Sequence, residues 1–396
     1  MGLGWTVELE QWMRGVAVEA GFDLCGVAGL GDASEDEGER LGAAQFAAWV
    51  EAGRAGEMEY LKRRDEAGVL LRSAVQVAMP WARSVVVCAL NYNAGGPLSI
   101  ESADAGAGWI GRYAWSGRTA EGDAASQEGG VVAGLAATDY HEELLARLRK
   151  METALLEKVE CETRCYVDTG PLVERAIAAR AGIGWVGKNT CVLNEGLGSW
   201  LLLAVIVTSL PMGEGVSIAA AADRCGSCTR CIDACPTDAL VGERQMDASR
   251  CIAYLTIEKK GTIAENLRGQ MGRQVFGCDI CQDVCPWNQR GSRRGVVAVR
   301  EGSRARAELI NPALEWLAGM DAKAFKQWFK GSPLERTRRK RLLRNVAIAM
   351  GNSEEKRFLP QLREWMQGED EVLAETSEWA VRRMERGDEK EAGATC

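Results

Sequence analysis

Between Cys225 and Pro286 the chain spaces its cysteines as Cys225-x2-Cys228-x2-Cys231-x3-Cys235-Pro236, then Cys251, then Cys278-x2-Cys281-x3-Cys285-Pro286. The first run is the spacing C-x2-C-x2-C-x3-C-P, in which three thiolates hold one iron–sulfur cube and the fourth reaches across to a second. A tight loop with three closely spaced cysteines can wrap three irons but cannot fold back to cap the fourth. The second run is one cysteine short of that pattern, and Cys251 supplies the missing thiolate from a distance. These thiolates meet the needs of two 4Fe-4S clusters: Cys225, Cys228, Cys231 and Cys285 for one, and Cys235, Cys251, Cys278 and Cys281 for the other. Zinc knuckles also use C-x2-C, but zinc requires neither the proline after each fourth cysteine nor the interleaved x3 spacing. A disulfide framework is the weakest reading, because a chain of 396 residues needs no such staples.

The chain has 14 cysteines, and its opening MGLGWTVELEQW is not a charged segment followed by an apolar run; both point to a reducing cytoplasm. The longest apolar run, residues 200–207, is too short to span a bilayer. The single histidine, His141, excludes multi-histidine metal sites and any Ser-His-Asp hydrolase not built on it. With a formal net charge of −8, any nucleic-acid surface must be local. Arg336, Arg338, Arg339, Lys340, Arg341 and Arg344 offer one, with only Glu335 to balance them. A solvated helix face is the usual fate of such a run; phosphate binding is the functional reading. Arg290, Arg293, Arg294, Arg304 and Arg306 extend the patch toward the cysteines.

Apolar spacing predicts helices over 6–20, 41–62 and 139–160, the last with Leu144, Leu145, Leu148, Met151 and Leu155 on one side. Residues 84–92 read as a buried strand and 164–167 as a short one. Residues 94–138, rich in Gly, Ala and Ser, read largely as surface loop. Asp168-Thr169-Gly170-Pro171 opens a helix with proline near its first turn, and residues 190–208 read as a hairpin. From about residue 305 the chain is helical, broken at 331–333 and 351–353, and its paired short helices suggest a HEAT-like array. The expected architecture is an α/β domain (1–220), a ferredoxin-like two-cluster module (221–300) and an all-α HEAT-like domain (301–396).

Gly182-x-Gly184-x-x-Gly187 matches the dinucleotide fingerprint, but a helical pattern precedes it and a strand pattern follows, so a Rossmann site is rejected. Asp168, at a strand–helix junction, reads first as an N-cap; its functional alternative is a proton-donating acid held in a cleft. Cys25, Cys88, Cys161, Cys165, Cys191 and Cys396 form no ligand pattern and read as small hydrophobes.

Several separated blocks resemble the epoxyqueuosine reductases, cobalamin-dependent enzymes of tRNA queuosine synthesis. These are residues 167–175 (VDTGPLVER), 182–190 (GIGWVGKNT), 251–258 (CIAYLTIE), 276–282 (FGCDICQ), Ser332-Pro333, 344–352 (RNVAIAMGN) and the eight cysteines in order. The resemblance covers most of the chain. It implies that the N-terminal α/β domain binds cobalamin, that the helical tail binds tRNA and that the protein works as a monomer. It assigns Asp168 as proton donor and places Gly277, Cys278 and Asp279 in the corrin pocket, with Lys188, Asn189 and Thr190 contributing. Lys260 matches a basic residue that touches tRNA, and Arg336, Arg338, Arg339, Arg341 and Arg344 extend that contact. Ala253 stands where the family often has serine, so a hydroxyl contact to the cofactor is missing. Arg112-Tyr113-Ala114 and Asp139-Tyr140-His141 are set apart by an insertion, whereas the family keeps these blocks close.

The implied reaction removes the epoxide oxygen of epoxyqueuosine at the tRNA wobble position to give queuosine. An external low-potential reductant feeds the clusters, which deliver electrons singly to cobalamin, and Asp168 protonates the leaving oxygen. Trp185 and Trp287 are candidates for stacking on the splayed base. Two rival readings are a cobalamin-dependent reductive dehalogenase, which has no need of the arginine-rich tail, and a plain ferredoxin-type electron carrier, which would bind no corrin.

Overall fold

A computed structural model describes residues 4–31, 37–119, 131–213, 216, 220–293 and 304–393. The strand Ser84–Asn91, apolar at every position but its ends, is an inner strand of a four-stranded sheet. Its order is Leu24–Gly29, Ser84–Asn91, Leu201–Thr208, Thr163–Tyr166, and every pairing is antiparallel. Side chains alternate across a strand. Val86, Cys88 and Leu90 therefore face one way, onto the helices Val7–Glu19 and Tyr140–Lys158. Val85, Val87 and Ala89 face the other, onto Met79, Ile177 and Ala178. Burial on both faces is why the run is continuously apolar rather than alternating. The helix Tyr140–Lys158 buries Leu144, Leu148, Met151 and Leu155, and Asp139 caps it by accepting the His141 N–H at 3.0 Å.

Four local expectations fail. Residues 94–119 are not mainly surface loop: Trp109–Ile110 pairs in parallel with Gln274–Phe276, and Ser116–Arg118 joins a sheet with Val131–Val132, Ala136–Ala137 and Arg304–Arg306. Trp109, Ile110, Ala114 and Trp115 are buried there, among small residues that mask the pattern. Residues 120–130, inside the same expectation, lie outside the described residues. Of the hairpin expected over 190–208 only the turn forms: Asn194 and Gly198 exchange two backbone hydrogen bonds of 2.9 Å. The arms part, Val192–Leu193 pairing back onto Trp185–Val186 and Leu201–Thr208 joining the central sheet. The helix after Asp168 starts at Glu174, beyond Pro171, and the helix Arg338–Ser353 runs through Gly351 to stop at Glu354, which has φ 59°.

Within the cysteine runs lie two one-turn helices, Arg230–Asp233 and Ile280–Asp283, which pack on each other. The first carries Cys231 and the second Cys281, and each ends just before a Cys-Pro pair. In the tail, Arg338–Ser353 is buried from Leu342 to Gly351, with Glu371–Gly393 and Leu314–Ala318 against it. One apolar core joins Trp109 and Trp115, Ile252, Leu255 and Phe276, and Leu342, Val346 and Trp379. Asn345 fastens it by donating to the carbonyls of Thr256 and Val275, both at 2.9 Å. Among the described residues no helix is long and apolar enough to cross a membrane.

Candidate active site

The first cysteine group comes together as the spacing predicts. Cys225, Cys228, Cys231 and Cys285 line one cavity of about 200 Å³, with Lys188, Asn189 and Trp287 on its walls. Pro286 opens the helix Pro286–Arg293 immediately after Cys285, where a missing N–H costs nothing. Trp185 and Leu193 back the cavity by packing on Cys285. Trp185 is 4% exposed. It and Trp287 thus belong to this thiol group, and neither is placed to receive a tRNA base.

The second group is more deeply set. Cys278 faces Cys251 and Cys235, and Cys281 faces Cys278 and Cys251. Burial pushes the thiols of Cys251 and Cys278 up, and neighbouring thiols push further, against backbone N–H groups of Ala253, Tyr254 and Ile280 that pull down. Thiolates crowded this way require bound cationic metal to hold their charge. Among the described residues no three metal-binding side chains converge tightly enough for a single ion. A ninth thiol, Cys191, lies beside Cys281. Spacing alone does not reveal it, because the contact is made by tertiary packing.

Asp168 lies on a turn with φ 59°, where the Thr169 N–H closes onto the Val167 carbonyl at 2.7 Å. An N-cap takes extended backbone, so the capping reading fails. Its side chain is 64% exposed. Tyr140 donates its hydroxyl to Asp168 Oδ2 at 3.1 Å, and His141 Nε2 stands 3.7 Å from the same oxygen. His141 Nδ1 lies 3.0 Å from Asp139 and 2.6 Å from Arg336, and Arg336 also pairs with Asp139. Burial alone would raise Asp139, but His141 and Arg336 hold it down at about 2. Behind the turn, Glu174 accepts the Asp168 N–H at 2.9 Å, and burial plus the Asp168 charge push its carboxyl up to about 7.

Aromatic rings link this turn to the second cysteine group. Tyr113 packs edge-on against Tyr140 at 5.9 Å and lies 5.8 Å from Phe276. Gly277, at φ 69°, sits under Tyr113 and beside Gly111, so that a Cβ there would stand 3.3 Å from the ring. Tyr113, Tyr140 and Glu174 are each partly buried.

The remaining expected contacts divide. Ala253 is half-buried, and its N–H points at Cys251. Asp279 is 2% exposed. Its carboxylate accepts the Arg112 N–H at 2.7 Å, so it braces the Gly277–Cys278 turn from below. Lys188 turns to the first thiol cavity and pairs with Glu243 at 2.7 Å. Asn189 donates to the Cys281 carbonyl at 3.3 Å, and Thr190 receives Arg175 at 2.7 and 2.9 Å.

The basic run also splits. Arg344 is 1% exposed and donates to the carbonyls of Leu255, in the last turn of the Ile252–Ile257 helix, and of Lys259 and Gly261 just beyond it. It is an internal brace and cannot reach RNA. Arg341 is half-buried on the carbonyls of Thr337, Arg336 and Ile257. Arg339 is half-buried on the Met320 carbonyl. Arg336, Arg338, Lys340 and Lys260 remain exposed. Arg306 is buried and bonds the Trp328 carbonyl; Arg294 lies outside the described residues, as do the side chains of Arg290 and Arg293.

Comparison with known proteins gives this geometry a context. Residues 72–169 match the family model described as "Epoxyqueuosine reductase QueG, DUF1730", and residues 224–288 match the "4Fe-4S double cluster binding domain". The epoxyqueuosine reductase of Xanthomonas campestris pv. campestris is 36% identical over 346 residues, covering 86% of this chain and 86% of that protein. That of Pseudomonas aeruginosa is 34% identical over 382 residues, covering 95% and 93%. A crystal structure of an epoxyqueuosine reductase with a tRNA-Tyr epoxyqueuosine-modified stem loop superimposes with a TM-score of 0.77 at 28% identity, covering 95% of this chain and 90% of that one. By identity over nearly its whole length, this chain belongs to the epoxyqueuosine reductase family.

Proposed function

We propose that this chain reduces the epoxide of epoxyqueuosine at the tRNA wobble position to queuosine, using cobalamin, two 4Fe-4S clusters and Asp168 as proton donor. The observation that carries the reading is the Asp168 turn, held by Tyr140, whose ring packs on Tyr113 beside Gly277. Cobalamin would lie against this surface: the Tyr113 and Tyr140 rings offer flat walls, and Gly277 adds no side chain. Gly277, Cys278, Ala253, Asn189 and Thr190 would hold it, with Asp168 opposite. When bound, the clusters supply electrons singly and the corrin supplies two-electron chemistry at carbon.

The protein's own residues orient the substrate and manage the proton. Opening an epoxide leaves charge on oxygen, and a general acid within hydrogen-bond reach stabilises that charge as it develops. Tyr140 and His141 fix one carboxylate oxygen of Asp168, leaving the other free for the substrate. Lys260, Arg336, Arg338 and Lys340 take phosphates of the anticodon arm, as the stem-loop complex of the relative supports. The N-terminal domain (1–220) binds the corrin, the middle module (221–300) the clusters, and the HEAT-like tail (301–396) the tRNA. The enzyme acts as a cytoplasmic monomer fed by an external low-potential reductant.

The test is to load anaerobically purified protein with iron, sulfide and cobalamin and give it epoxyqueuosine-containing tRNA with a low-potential chemical reductant. The expected product nucleoside is lighter by one oxygen. An unchanged nucleoside, with corrin and cluster absorption both present, would refute the reading.

A further inference from the structure

The stretch Gly182-x-Gly184-x-x-Gly187, rejected as a nucleotide loop, is built against the cysteine groups. Trp185–Val186 folds back on Val192–Leu193 so closely that a Cβ at Gly184 would stand 2.0 Å from the Leu193 carbonyl oxygen. That closeness seats the Trp185 ring on Cys285, with Cys225 alongside. The Trp185 indole N–H is buried and has no acceptor in the protein. Leaving such a donor unpaired costs about 1–3 kcal/mol, and the acceptors at this place are sulfurs of the first cluster.

Further along the same loop, Asn189 accepts the Cys191 N–H at 3.2 Å and donates to the Cys281 carbonyl at 3.3 Å, which anchors the loop to the second cysteine group.

We propose that Trp185 sets the reduction potential of the first cluster, its buried indole N–H donating to a sulfur there. The inference rests on the two-cluster reading above. Hydrogen bonds to cluster sulfurs and ligands favour the more negative, reduced state and so raise the potential.

The test is a redox titration of the iron-loaded full chain, followed by electron paramagnetic resonance, for wild type and W185F, with iron counted in each. W185F is expected to lower one midpoint and leave the other in place. At the wild-type midpoint the reduced-to-oxidised ratio of the affected cluster should fall about tenfold, equivalent to about 59 mV for a one-electron couple. Full iron with unmoved midpoints would overturn the proposal; the Trp185 N–H would then be spent on the Trp287 ring, 5.2 Å away and edge-on. A wild-type protein that takes up no iron would sink the two-cluster reading itself, and this inference with it.

Discussion

The Tyr140 hydroxyl donates to Oδ2 of Asp168 across 3.1 Å, tying the start of the helix Tyr140–Lys158 to an exposed turn. Tyr140→Phe removes this one bond and keeps the ring that packs on Tyr113. A neutral hydrogen bond contributes about 0.5–1.5 kcal/mol, so losing one that positions a catalytic acid costs roughly 2- to 10-fold in rate. Single-turnover rates should fall by that factor while melting temperature and iron content stay at wild-type values.

Glu174 gives a pH signature. Its folded carboxyl is raised from 4.5 to about 7 by burial and then by Asp168. The raised folded value means stability from this group is fully present below pH 4.5 and is lost as pH rises through about 7. Allowing for partial solvent access, the loss is on the order of 2 kcal/mol. Glu174→Gln should abolish that part of the fall, seen as a flatter pH dependence of urea unfolding between those values. An unchanged slope would remove Glu174 from the account.

The arginine run should separate into two kinds of residue. Arg344→Ala strips the carbonyls of Leu255, Lys259 and Gly261 of their donor and should cost on the order of 3 kcal/mol in unfolding measurements. Arg338→Ala and Lys260→Ala, both at exposed positions, should leave stability alone. Each should weaken tRNA binding and reduce the log–log salt slope by about 0.7 to 0.9 per lost phosphate contact. Equal effects of all three on stability would contradict the division.

What could be read from the chain follows the range of the interaction. The cysteine groups were legible because ligand spacing is local, and Ser84–Asn91 because burial on both faces leaves an unbroken apolar run. Arg344 was misread because composition cannot tell a guanidinium aimed at water from one aimed at the carbonyls of Leu255 and Gly261. Cys191 and Trp185 were missed for the same reason: their partners, Cys281 and Cys285, lie far along the chain. The role of Asp168 came from resemblance, since an acid at a strand–helix junction has the same local signature as a cap.

The most direct test compares Asp168→Asn with wild type in one turnover on epoxyqueuosine-containing tRNA, both proteins loaded with clusters and cobalamin and reduced. Asparagine keeps the size of the side chain and can still meet Tyr140, but it has no acidic proton to give. The account predicts that wild type yields the nucleoside lighter by one oxygen while the variant, with the same corrin and iron content, yields almost none. Conversion by the variant at close to the wild-type rate would contradict it.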